Sequence, residues 1–190
     1  MLHIRLSLLT LLTGWTAIWA QAPQPAKAQP PPTFMGPCST VSCEVQNDWS
    51  RNNVLIYLAA SVMPEEKYGF KPVPEEQTFG ERVLHVAQVN VSILQDLGAK
   101  TAPPVIDPKA TSKAEAMAVV QKVGEYGLAV IKEFGEQQLL TRVASPPFMG
   151  PMSTRQRMLY FLMTHSQDTY GQLVVYLRMN GIVPPASRQP

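Results

Sequence analysis

Apolar residues recur every third or fourth position through four long segments of the chain. Proline-containing gaps at 64–74, 103–108 and 146–151 separate them. That spacing gathers the apolar side chains on one face of a helix. The first segment, near 46–62, places Trp49, Leu55, Leu58, Ala59 and Val62 on a common face. The second opens at Thr78-Phe79-Gly80-Glu81, a capping box in which each side chain satisfies a backbone donor of the other residue. Its stripe is Phe79, Val83, Val86, Ile93 and Leu97, and Gly98 ends it. The third opens at Ser112-Lys113-Ala114-Glu115, carries Met117, Val120, Val123, Val130, Ile131 and Phe134, and closes at Gly135. The fourth opens at Ser153-Thr154-Arg155-Gln156 and runs to Asn180-Gly181, before Pro184-Pro185. Few stretches alternate with period two, so a sheet has little support. Four amphipathic helices, each with one stripe to bury, predict an all-α four-helix bundle.

Upstream of the bundle the pattern changes. Residues 1–22 carry a short basic start with Arg5, an apolar run from Leu6 to Trp19, and Ala20-Gln21-Ala22 in the small-x-small arrangement of a cleavage site. The run is short for a membrane span. A cleaved signal peptide is expected, with no stable span left afterwards and the protein exported to the periplasm or secreted. Residues 23–45 form a proline-rich linker ending in an arm with Cys38 and Cys43, and 46–187 the bundle. In an oxidising compartment the two cysteines are expected to form a local disulfide. A metal half-site is the alternative, but the chain has no second cysteine pair to complete it. Phe-Met-Gly-Pro occurs at 34–37 and again at 148–151, without a repeat architecture around it.

Charge adds little. Sixteen Lys and Arg against fourteen Asp and Glu give a formal net charge of +2 across 190 residues. No basic block is present, so nucleic acid is not an expected partner.

The fourth segment carries the candidate chemistry. Its stripe reads Met158, Leu162, His165, Thr169, Leu173, Tyr176, placing a histidine and a threonine on a face that should be dry. Burying them costs free energy unless they are partnered. Histidine is scarce: His3 would leave with the signal, and His85 lies one residue off the second stripe. From the residues alone, two unrelated histidines and a shared site both stand. Gln172 falls near His165 on the wheel and could orient it or face solvent. Arg178 complements the helix C-terminus, and Gly171, Tyr170 and Tyr176 read as packing. Asn90-Val91-Ser92 is a formal glycosylation sequon, discounted because it lies inside a helix.

The stretch Met63-Pro64-Glu65-Glu66-Lys67-Tyr68-Gly69-Phe70-Lys71-Pro72, followed by Phe79-Gly80-Glu81 and His85, resembles the entry to the second helix of the DinB-like (DinB/YfiT-like) superfamily. The run from Tyr170 to Ser187 is similar to that family's closing signature, in which a His-x-x-x-His pair precedes an aromatic residue, Gly and Gln. The resemblance implies a four-helix bundle with a divalent metal, zinc or nickel, held by three histidines. His85 matches the first position and His165 the second; the third falls on Thr169, a poor ligand beside imidazole. Asp168 is the candidate substitute. The family further implies a small-molecule substrate, chemistry of the thiol-transferase or hydrolase type, and pairing of two copies as a dimer, which no residue here decides. A non-catalytic ligand-binding or structural bundle that has lost the metal site is the competing expectation.

Overall fold

Hydroxyl side chains start each long helix. The structure is a computed structural model that describes residues 37–188, so the expected signal peptide and most of the proline-rich linker lie outside it. Helix α1 is Val41–Val62, α2 Phe79–Asp96, α3 Lys113–Lys132 and α5 Arg155–Met179; a short α4, Glu136–Leu140, lies between the last two. Thr40, Thr78, Ser112 and Thr154 accept from the backbone N–H of Cys43, Glu81, Glu115 and Arg157, filling donors that a helix start leaves open. Thr78 and Glu81 complete the expected capping box, with the Thr78 N–H donating to Glu81 Oε2 at 2.7 Å. At Ser112 the return bond differs: its hydroxyl, not its backbone N–H, meets the Glu115 carboxylate.

Helix α1 begins at Val41, inside the stretch expected to be linker. Thr40 supplies the cap, and a Cys38–Cys43 disulfide ties the arm to the first helical turn. Its buried face also differs from the expected one: Val45, Trp49, Asn52, Ile56, Ala59 and Ala60 point inward, while Leu55 and Leu58 are only half-buried. The spacing is regular once a polar Asn52 is allowed on the stripe. The α2 stripe is as expected, and Gly98, at φ 72°, turns the chain after it.

Helices α1 and α2 occupy opposite corners of the bundle, each packing on both α3 and α5. Helices α1 and α3 run antiparallel, as do α2 and α5, whereas α1 with α5 and α2 with α3 run parallel. Ser42 bonds to Phe134 at one end of the α1–α3 pair, and Lys113 Nζ to the Met63 carbonyl at the other. Trp49 lies flat on α3, its Nε1–H donating to the Gly124 carbonyl at 2.9 Å. Only a glycine at 127 admits this, since a Cβ there would stand 2.1 Å from Trp49 Cζ2. The gap expected at 146–151 is the tip of a small antiparallel ribbon, β1 Arg142–Ala144 against β2 Met152–Thr154. Three-residue strands are too short for a period of two to register. Ser153, expected near the helix start, is in the ribbon, and Thr154 caps instead.

The core is divided. One apolar cluster gathers Trp49, Leu94, Val130, Met158 and Leu162; the other gathers Ile56, Phe79, Val83, Leu173 and Tyr176. Asn52 on α1 and Ser166 and Thr169 on α5 fall between them along the chain, and Asn90 lies within the first cluster's stretch of α2; these are four of the five buried polar residues among those described. Asn90 Nδ2 donates to Ser166 Oγ at 3.2 Å across α2 and α5, and Gln167 Nε2 donates to Asn52 Oδ1. Asn90 is therefore committed to the interior, which disposes of the sequon in the folded chain.

Candidate functional site

His85 and His165 meet where α2 faces α5. Their ring centroids are 5.4 Å apart and the planes tilt by 60°. Both are half-buried. Ser166, one residue on, is the buried member of its helix at that level. His165 therefore sits at the edge of the core and not in the middle of the stripe, where the sequence reading put it. Thr169 is where that reading expected it, buried to 1% exposure. Phe161, one turn before His165, stacks against it at 6.0 Å.

Both imidazoles are biased toward the neutral form. Burial lowers the His85 pKa, and the nearby Arg82 guanidinium lowers it further. Burial also lowers that of His165, followed by charge on His85; Asp168 opposes this and Arg82 adds to it. Neutral imidazole is the form that binds a metal or takes up a proton. His165 Nδ1 is buried and has no hydrogen-bond partner.

Whether the family's metal fits can be tested on this geometry. An ion about 2.1 Å from an imidazole nitrogen lies about 3.2 Å from the ring centroid, so two rings at a tetrahedral angle have centroids about 5.2 Å apart. The observed separation matches this, yet it is also ordinary for packed rings. The pair admits a shared ion without requiring one. A third protein ligand is another matter. Among the described residues no group of three His, Cys, Asp or Glu side chains is placed to hold an ion. Asp168 is exposed, and its Oδ2 accepts from Gln172 Nε2 at 2.8 Å. Gln172 thus engages Asp168 and forms no hydrogen bond to His165. A three-histidine centre does not fit these residues; a two-imidazole site does.

Outside the pair, the site has parts that periodicity could not mark. A cleft of about 370 Å³ opens beside His85, bounded by Lys71, Glu75, Glu76, Gln77 and Glu81 among others. Arg82, one turn before His85, pairs with Glu76 at 2.5 Å. The Tyr176 hydroxyl donates to the Gln77 carbonyl at 2.8 Å, a specific bond at a residue expected only to pack.

Comparison with known proteins agrees with this architecture. Two solved structures share the fold. A DinB-like protein from Bacillus cereus aligns with a TM-score of 0.67 at 19% identity, covering 77% of this chain and 96% of that one. A DinB-like protein from Bacillus subtilis aligns at 0.61 and 17%, covering 77% and 99%. No curated protein matches. The model of the DinB superfamily matches residues 46–173, which takes in α1 through most of α5 and both histidines, and the chain belongs to that superfamily.

Proposed function

We propose that this chain is an exported DinB-superfamily bundle that binds a small molecule at the His85–His165 pair. A divalent zinc or nickel ion would be held there by the two imidazoles and by donors from solvent or ligand. The observation that carries the reading is the convergence of two neutral imidazoles, one with a buried, unpartnered Nδ1, beside an open polar cleft. Such an atom loses its hydration without compensation unless something binds it. A bound ion would supply Lewis acidity toward water or a thiol. The chain's own residues position the imidazoles and keep them unprotonated, through burial and the Arg82 charge. Export is supported by the signal-like residues 1–22 and by the Cys38–Cys43 disulfide, which suits an oxidising compartment.

Thr169 favours a second reading, in which the bundle binds its ligand without metal. Metal analysis of protein purified without chelator or affinity-tag metal separates the two. The first reading predicts one zinc or nickel per chain at about micromolar free metal, lost in both His85→Ala and His165→Ala. Absence of metal from the unaltered protein under those conditions would leave the metal-free reading.

A further inference from the structure

The two helices that carry the imidazoles are also joined inside the core. Asn90 is 5% exposed and Ser166 2%. Asn90 Nδ2 donates to Ser166 Oγ at 3.2 Å, and Ser166 Oγ is 3.4 Å from Asn90 Oδ1 and can donate back. Ser166 follows His165 directly, and Asn90 lies five residues after His85 on the same helix. The ends of the α2–α5 seam are tied to backbone instead: Arg155 Nε donates to the Leu97 carbonyl at 2.7 Å, and the Tyr176 hydroxyl to the Gln77 carbonyl at 2.8 Å. Around Asn90 the interior is otherwise apolar, with Ala87, Val91 and Leu94 in one cluster with Leu159 and Leu162. Apolar contact is non-directional and tolerates small slides. The polar pair does not, since stretching its bonds by about 0.5 Å takes them out of hydrogen-bond range and leaves both groups buried without a partner.

We infer that Asn90 and Ser166 are positioning residues for the His85–His165 site: their bond fixes the rotation and register of α2 against α5, and with them the distance between the two imidazoles. A buried hydrogen-bonded pair adds little net stability over apolar side chains of the same shape. What a satisfied polar pair adds is a single arrangement of the elements that it joins. A two-imidazole site needs that, because binding geometry has to be held to within about 0.5 Å. Any turn of α5 that separates Ser166 from Asn90 also carries the neighbouring His165 along the edge of the core. The inference rests on the His85–His165 reading above for its purpose, while the pairing itself involves no metal.

The test replaces both polar groups at once. Asn90→Leu/Ser166→Ala leaves an apolar interior, so its Tm is expected to equal or exceed that of the unaltered chain, while its Kd for zinc rises about tenfold or more. The exchange Asn90→Ser/Ser166→Asn rebuilds the pair with its partners reversed and is expected to recover most of that affinity. Gly127→Ala perturbs the α1–α3 interface instead and is expected to leave zinc binding unchanged. A second readout needs no metal: nuclear Overhauser contacts between the His85 and His165 rings, recorded with chelator present, are expected in the unaltered chain, weakened in the apolar variant and restored by the exchange. Should the apolar variant not fold cooperatively, Ser166→Ala alone is expected to change both readouts in the same direction. An apolar variant that keeps its zinc affinity and its ring contacts overturns the inference. So does an equal loss of affinity in Gly127→Ala, which marks a general loosening of the bundle, or the absence of ring contacts in the unaltered chain. If zinc does not bind the unaltered chain, only the metal reading falls, and the ring contacts decide this one.

Discussion

Replacing Gly127 with alanine is the sharpest test of how this bundle is packed. The added Cβ would stand 2.1 Å from Trp49 Cζ2 and 2.3 Å from Cε2, on a ring that is 2% exposed. Ordinary contact begins near 3.4 Å, so the indole has to retreat by more than an ångström or α1 has to move away from α3. Overpacking of this kind costs about 1–3 kcal/mol. Displacing the indole also strains the Trp49–Gly124 hydrogen bond, worth about 1 kcal/mol. Against this, alanine is the better helix former by about 1 kcal/mol. The balance is a loss of about 2 kcal/mol, or about 4–8 °C in Tm for a chain of this size. In a chain beginning at residue 23, Trp49 is the sole tryptophan, so thermal unfolding followed by its fluorescence reads the perturbed residue itself. A Tm equal to or above that of the unaltered protein would refute this account of the α1–α3 interface.

Three further outcomes follow from the same geometry. Asn90→Ala should cost about 1–3 kcal/mol because Ser166 is left buried and unpaired, and adding Ser166→Ala should cost less than the two changes summed; urea unfolding of the double-mutant cycle reads the coupling. In metal-free protein, His85 and His165 have folded-state pKa values below the usual 6.5. The unfolded chain therefore takes up protons first as pH falls. Stability is full above about pH 6.5 and is lost as pH drops through the folded values, and the His85→Ala/His165→Ala double variant should flatten that slope. Reducing the Cys38–Cys43 disulfide opens a small loop, with a sequence separation of 5. The expected loss is about 2 kcal/mol on the chain-entropy account, with hydrogen exchange rising at the start of α1 and unchanged around His85.

Much of the bundle was legible because helical periodicity survives wherever the stripe is wholly apolar. Phe79, Val83, Val86 and Ile93 in α2 show it, as do Val120, Val123 and Val130 in α3. The α1 face was misread for the opposite reason. Asn52 is buried and paired with Gln167, and a pattern scored on hydrophobicity skips it in favour of Leu55 and Leu58. The same blindness moved the interior of α5 by one residue, from Ser166 to His165. The His85–His165 pairing came from a family resemblance rather than from spacing, since residues 80 apart in the chain carry no local signal of contact. Arg82 had no signature at all. What sets it apart is its pairing with Glu76 beside His85, and that exists only once the chain is folded.

The central claim is that two imidazoles from separate helices make one site. A chain beginning at residue 23 holds only those two histidines, so their ring nitrogens can be followed by NMR as zinc is added. Both rings are expected to respond together, along one curve that ends at one ion per chain. Two independent curves, or a response from one ring alone, would contradict it.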